Sequence, residues 1–136
     1  MAAVAVIAAV FGADRMWRRS LHFQRQAALC AYCEACSLGY ALGFEKDTSG
    51  ALSDEDRRES ALGNRREAEQ SRLLKVAYQR VASHPWEGLP PGVPDSVNPW
   101  DLGDLSASEL EEEAKAMMEA YERGEPGLQM LNFGDE

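Results

Sequence analysis

Three cysteines in one seven-residue window are the most chemically versatile side chains in this 136-residue sequence. They are Cys30, Cys33 and Cys36, and their C-x2-C-x2-C spacing occurs in iron–sulfur and zinc proteins. Such a site needs a fourth ligand, but no cysteine follows Cys36, and His22 lies about 12 Å from Cys30 along a helix. Cysteine among helical alanines is usually a small buried apolar residue. The sequence therefore predicts no metal or other cofactor and leaves the three cysteines as weak metal candidates.

Catalytic sets of residues are equally sparse. The two histidines, His22 and His84, accompany no Ser/His/Asp or Cys/His nucleophile motif. The chain has no glycine-rich phosphate loop and no H-E-x-x-H pair. Its acidic residues fall in charged helical runs rather than as pairs in an apolar pocket. We expect a protein that is not an enzyme.

The stretch from Met1 to Phe23 joins an uncharged apolar run to a basic boundary that contains tryptophan. As a helix, residues 1–13 span only about 20 Å of a hydrocarbon core that is roughly 30 Å thick. The difference between the helix length and the membrane thickness becomes smaller if Asp14 and Arg15 snorkel and Trp17 lies at the interface. We predict a membrane anchor with basic flank over residues 1–23; the alternative is a helix in the core of a soluble domain. The predicted membrane-interface residues are Arg15, Trp17, Arg18 and Arg19.

The net charge of −9 is unevenly distributed along the chain. Residues 1–80 hold 12 basic and 10 acidic side chains, whereas residues 81–136 hold 2 and 13. A basic segment next to a membrane favours anionic lipid by about 1 kcal/mol per Lys or Arg, whereas the acidic half would be repelled by nucleic acid. We therefore expect membrane lipid as a partner, no nucleic acid, and a C-terminal part that faces the cytoplasm.

A helical hairpin is predicted over residues 24–83. Leu21 to Phe44 is rich in alanine and leucine, Glu45 to Leu52 has turn composition, and Ser53 starts a second helix that runs to about Ser83. The first half of this second helix is charged nearly all round, so we expect only its second half to pack firmly.

A connector rich in proline and tryptophan follows at residues 84–100. Four of the six prolines lie between residues 87 and 99, which favours an extended chain. Trp86 and Trp100 bracket the prolines. We expect both indoles to pack on the hairpin, in preference to forming a ligand platform.

An acidic helix and tail occupy residues 101–136. Ser106 and Glu109 form a capping box, and Arg123 with Gly124 supplies a helix end. The apolar stripe of this helix could dock on the hairpin or enter the basic groove of a protein partner, and we expect one of these two. The partner-binding candidates on this stripe are Leu110, Met117, Met118 and Tyr121.

Two segments of the chain suggest a family. MAAVAVIAAVFGADRMWRRSLHFQRQAA at residues 1–28 and LLKVAYQRVASHPWEGLPPGVP at residues 73–94 cover about a third of the sequence. Together they resemble small uncharacterised planctomycete proteins with an N-terminal hydrophobic segment. The resemblance implies a bacterial, single-pass membrane protein. The combined prediction is a mainly α, membrane-anchored adaptor or scaffold, and the alternative is a soluble helical protein-binding module with residues 1–23 in its core.

Overall fold

The computed structural model describes residues 1–97, 102 and 105–126, and this part of the chain is helical without strands. It contains α1 (Ala2–Lys46), α2 (Asp54–Ser83) and α3 (Ala107–Glu122). The mainly α fold is therefore confirmed, with a long apolar N-terminal helix, a hairpin and a short acidic third helix. Trp100 and the predicted tail after Pro126 lie outside the described residues.

The first helix, α1, is a single element of 45 residues, about 68 Å long at 1.5 Å per residue. The predicted anchor and the first helix of the hairpin are thus one continuous helix. Gly12 and Gly39 lie within it without interrupting it, since alanine and leucine dominate around them and the first proline of the chain is Pro85.

Local signals define the remaining helix ends. The Ser53 hydroxyl accepts a hydrogen bond from the Asp56 backbone N–H at 3.1 Å, which caps α2. At α3 the capping box is complete: Ser106 accepts from the Glu109 N–H at 3.2 Å, and the Glu109 carboxylate accepts from the Ser106 N–H at 2.8 Å. Gly124, with φ of 73°, follows α3 in the left-handed region that glycine favours. The predicted starts of α2 and α3 are confirmed.

The α2 helix runs antiparallel to α1 and packs on it through an aromatic pair. The rings of Phe23 and Tyr78 stack with their centroids 5.7 Å apart. Ala27, Cys30 and Val81 complete this buried cluster. The predicted helical hairpin is therefore confirmed, with the C-terminal end of α2 against the beginning of the packed part of α1.

The charged first half of α2 also packs, which differs from the prediction. Ala61 and Ala68 are buried there, whereas Leu73 and Val76 in the second half are 56% and 51% exposed. Two alanines seven residues apart share one helix face and let α2 approach α1 closely. Leu73 and Val76 point away from that face.

The α3 helix lies along another side of α1 and runs parallel to it. Arg25 near the beginning of the packed part of α1 donates to the Leu105 carbonyl before α3, and Lys46 at the end of α1 donates to the Gly124 carbonyl after α3. Between these ends, Leu110 and Ala114 are buried against α1.

All four partner-binding candidates therefore have an intramolecular environment. Leu110 is completely buried, and Met117 and Met118 pack against the same cluster on α1. The Tyr121 hydroxyl accepts a hydrogen bond from Arg65 of α2 at 2.9 Å. Of the two expectations for this stripe, docking on the hairpin is the arrangement that the structure contains.

The connector is held on the hairpin by polar contacts and by the packing of Leu89, Val93 and Val97, and not by its first tryptophan. The Tyr78 hydroxyl donates to the Pro94 carbonyl at 2.6 Å, and the buried Gln26 side chain accepts from the Val97 N–H at 2.7 Å. Trp86 is 70% exposed, so the expectation that it packs on the hairpin is wrong.

Substitution of Leu110 by alanine tests the docking of α3. Because Leu110 has no exposed surface, we expect Leu110→Ala to lower the free energy of unfolding by about 2–5 kcal/mol, the usual cost of such a cavity. Urea unfolding of the purified chain in mild detergent, followed by circular dichroism, measures this.

Glu112→Ala is the matched control, since Glu112 is exposed on the same helix. It should change the free energy of unfolding by less than about 0.5 kcal/mol. Equal and small effects of both substitutions would contradict the docking of α3 on α1.

Candidate membrane-interaction site

The first 15 residues of the chain are exposed along their whole length. We call this segment, residues 1–15, the apolar extension. Besides Met1, it carries five large apolar side chains within about 160° of the helix circumference, with alanine and glycine on the opposite side, and Phe11 is 71% exposed. A helix that is apolar all round has no polar face to turn towards water. The large apolar side chains are Val4, Val6, Ile7, Val10 and Phe11.

The alternative that residues 1–23 belong to the core does not hold in this structure. Phe23 is the one buried residue among them. The contacts of α2 and the connector begin only at Arg19 and Ser20, which donate to the carbonyls of Glu87 and Ala82. The apolar extension therefore projects beyond the packed helices.

The predicted interface residues divide into two groups. Arg15, Trp17 and Arg18 are exposed where the apolar extension meets the packed helices, and Trp17 is 63% exposed. The Arg18 guanidinium lies 2.9 Å from the Asp14 carboxylate, one turn earlier. This pair lowers the net charge of the boundary but leaves Arg15 unpaired in the contacts of the described chain.

Arg19 makes contacts with the connector and with an aromatic ring of α1. Its guanidinium lies over the Phe23 ring at 5.2 Å and donates to the Glu87 carbonyl at 3.1 Å. Its Nε is buried without a hydrogen-bond partner in the described structure, and the cation–π contact offsets part of that cost. Arg19 thus fastens the connector to α1, and its place at the membrane interface stays a prediction.

One helix, α1, is long and apolar enough to cross a membrane by length and composition. The 18-residue window that meets this criterion is 67% buried inside the fold. Because residues 1–15 are all exposed, that window must lie mostly on the packed part of α1. A core helix satisfies the same criterion, so the stronger indication of a membrane is the exposed apolar extension.

The three cysteines have three different surroundings. Cys30 is buried among Phe23 and Tyr78 at the α2 side, whereas the Cys36 thiol lies 3.7 Å from the Met117 sulfur at the α3 side. Cys33 lines an open groove of about 330 Å³ between α1 and α2. Within residues 1–97, 102 and 105–126, no three His, Cys, Asp or Glu side chains are grouped so that they could hold a metal ion.

Burial makes all three thiols poor acids. Desolvation raises the pKa of Cys30 to about 11, with Lys75 opposing the shift. It raises the pKa of Cys33 to about 12, assisted by the neighbouring Cys30 and Cys36, and that of Cys36 to about 11. The thiolate is the nucleophile and metal ligand, so these cysteines are protonated and unreactive at neutral pH.

Both histidines face backbone carbonyls. The His22 Nε2 lies 2.9 Å from the Asp95 oxygen, and the His84 Nδ1 lies 3.2 Å from the Arg80 oxygen. Across α1 and α2, Glu34 and Lys75 form a half-buried ion pair. These contacts position the connector and join two helices, and none of them pairs a histidine with a nucleophile.

No protein-family model, curated protein or solved structure matches this chain. The resemblance to planctomycete proteins, based on residues 1–28 and 73–94, stays a prediction. The description of the candidate site therefore rests on the structure alone. The site consists of the apolar extension and the arginine and tryptophan residues at its end.

The buried thiols predict a pH dependence of stability. In the unfolded chain a cysteine ionises near pH 8.5, whereas in the fold the pKa is about 11 or above. Folding is therefore favoured below the unfolded pKa, and this contribution is lost as pH rises towards the folded pKa. We expect each thiol to lower the free energy of unfolding by at most about 2 kcal/mol between pH 8 and pH 10. Screening by nearby solvent keeps the total below the roughly 5 kcal/mol of three full contributions. Urea unfolding at each pH measures the change.

The control is the triple variant Cys30→Ala, Cys33→Ala, Cys36→Ala. It should show a flatter profile over the same interval, which ends before the tyrosines contribute strongly. An equally steep profile for the variant and the native chain would show that the thiols do not cause the dependence.

Proposed function

We propose that this chain is a single-pass, membrane-anchored helical protein whose packed helices act as a non-catalytic adaptor or scaffold. The observation that carries the proposal is the exposure of every residue of the apolar extension. Burial of one large apolar side chain is favourable by about 1.5–3 kcal/mol, so five of them contribute on the order of 10 kcal/mol. Lipid can supply that burial around the whole helix.

The boundary residues support a bilayer over a second protein chain as the environment of the apolar extension. Trp17 and the arginines Arg15 and Arg18 lie at the end of the apolar run, where interfacial tryptophan and snorkelling arginine occur in membrane helices. A pair of such helices in water would still expose the outer side of each, because residues 2–13 have no polar side chain to face solvent.

The membrane segment is slightly shorter than the hydrocarbon core. Residues 1–17 form a helix of about 25 Å, against a hydrocarbon core of roughly 30 Å. Snorkelling and local thinning of the bilayer accommodate a few ångströms of mismatch. The packed helices begin immediately afterwards, so they lie close to the membrane surface.

The adaptor role is supported by the outer face of α3. Its apolar stripe is turned towards α1, which leaves Glu111, Glu112 and Glu113 exposed. A protein partner would therefore meet an acidic surface and not the methionines. A basic protein surface is the complement, whereas nucleic acid would be repelled.

Fractionation with two matched double variants tests the anchor. The native chain, expressed in bacterial cells, should remain in the membrane pellet after a carbonate wash. Val6→Glu with Val10→Glu should move it to the soluble fraction, because a charged side chain at the centre of a membrane helix costs about 2.5–3.5 kcal/mol. Leu73→Glu with Val76→Glu places the same charges at comparably exposed positions of α2 and should leave the protein in the pellet.

Recovery of the native chain as a soluble monomer would contradict the anchor. A soluble dimer that only the Val6/Val10 variant dissociates would instead show that a second copy covers the apolar extension. Equal solubilisation by both double variants would indicate that the net charge of the protein, and not insertion of the apolar extension, determines whether the protein is recovered in the pellet.

Orientation requires a cysteine at an exposed position, since the native thiols are protonated and none of them is fully exposed. We expect Thr48→Cys, in the exposed turn after α1, to resist a membrane-impermeant maleimide in intact cells, and Ala3→Cys to react. This pattern follows from the arginine flank, which favours the cytoplasm. The background is the triple cysteine-to-alanine variant.

The reverse labelling pattern would place the packed helices outside the cytoplasm. Protection of both positions, with labelling restored after lysis, would show that the extension enters one leaflet without crossing the bilayer. That result would contradict the single-pass proposal.

A further inference from the structure

The fold leaves a second tryptophan, Trp86, exposed. Trp86 belongs to the turn that follows α2 and is 70% exposed, and Trp17 on α1 is 63% exposed. An exposed indole is unusual for a side chain that is large and mostly apolar. In the described part of the chain, the Trp86 side chain therefore lies largely outside an apolar environment.

Two hydrogen bonds set the position of Trp86 along α1. The Ser20 hydroxyl donates to the Ala82 carbonyl at 2.7 Å, and the Arg19 guanidinium donates to the Glu87 carbonyl at 3.1 Å. The turn that carries Trp86 is therefore fixed beside Arg19 and Ser20. Trp17 precedes Arg19 by two residues, or about 3 Å of helix rise. The two indoles thus lie at a similar level along the α1 axis.

The turn itself, residues 84–87, is well ordered by its own contacts. The Glu87 N–H donates to the His84 carbonyl at 2.9 Å, and the Glu87 carboxylate lies 2.8 Å from the Arg80 guanidinium. This hydrogen bond from Arg80 lowers the pKa of the Glu87 carboxyl group. The Trp86 ring meets the His84 ring edge to face at 5.4 Å. Trp86 is held outwards by a defined turn.

Charge at this end of the packed helices is complementary to anionic headgroups. The acids Asp14 and Glu87 are each paired with an arginine, Arg18 and Arg80. The exposed Asp95, whose carbonyl oxygen faces His22, has no ion pair in the described contacts. Arg15 and Arg19 add positive charge without an acidic partner in the described contacts. The glutamates of α3 begin beyond the level of Arg25, which binds the Leu105 carbonyl, and Glu111 among them lines a groove that extends to Ser83.

We infer that the His84–Glu87 turn is a second membrane-contact site, in which Trp86 inserts into the headgroup region of an anionic bilayer beside Trp17. The inference rests on the proposed function. A helix that crosses the bilayer alone is free to tilt, whereas a second contact to one side of it fixes the distance and orientation of the packed helices. The occupant of the surface is lipid, because the turn continues the apolar extension at the level of its arginine and tryptophan boundary.

Fluorescence of a single tryptophan tests this site. Trp17→Phe with Trp100→Phe leaves Trp86 as the only indole in the full chain. On addition of vesicles of phosphatidylcholine and phosphatidylglycerol, its emission maximum should shift to shorter wavelength. Lipids brominated near the headgroup should quench it more strongly than lipids brominated near the end of the acyl chain.

The matched control places tryptophan at the opposite end of the packed helices. In a chain without native tryptophans, Leu52→Trp lies in the exposed turn between α1 and α2, about 45 Å from the Trp86 level by helix rise. Its emission should not change with vesicles. In addition, Trp86→Ala should weaken vesicle partitioning several-fold without a change in thermal midpoint, because its side chain is exposed.

The outcomes separate this inference from the proposed function. If the chain floats with vesicles and Trp86 neither shifts nor is quenched, the second contact is wrong and the anchor remains. If the chain does not float with vesicles, the anchor fails and this inference fails with it. If the Leu52→Trp reporter shifts as strongly as Trp86, the packed helices contact lipid without orientation, which also overturns the inference.

Discussion

Small side chains on α1 are the constraint on which the whole arrangement depends. Both other helices pack on this one helix, and they can do so only if it presents little bulk on two sides. Ala27 and Cys30 meet α2, whereas Ala28, Ala35 and Cys36 meet α3. Close approach then lets the large residues Tyr78 and Leu110 become completely buried. Dispersion contacts in such a thin core are gained mainly at these two side chains.

Helix ends and the hairpin were predictable from the sequence because their signals are local. Ser53 and Ser106 cap helices with atoms only three residues away. The position of Trp86 was not, since it follows from contacts between distant residues: Arg19 and Ser20 donate to the carbonyls of Glu87 and Ala82, which lie 68 and 62 positions along the chain. The exposure of Leu73 could have been predicted from helical periodicity. Leu74, Tyr78 and Val81 follow the spacing of one helix face, and Leu73 does not.

The cysteines show how spacing on a helix decides chemistry. Residues six positions apart differ by about 120° around the axis, which places Cys30 and Cys36 against different helices. Cys30 and Cys33 then lie on the α2 side and Cys36 on the α3 side, and desolvation keeps all three thiols protonated. The same C-x2-C-x2-C pattern in a loop could converge on a metal. In α1 the helix itself separates the sulfur atoms.

The apolar extension and the packed helices are energetically separate parts of one element. Because residues 1–15 contact neither α2 nor α3 in the described structure, their substitution should leave the stability of the packed helices nearly unchanged. Their helix is nevertheless continuous with the packed part of α1, so nucleation is already complete and each added residue requires only propagation. The apolar extension is therefore already helical before it meets its apolar environment. A rigid connection of this kind transmits orientation, which a flexible linker would not.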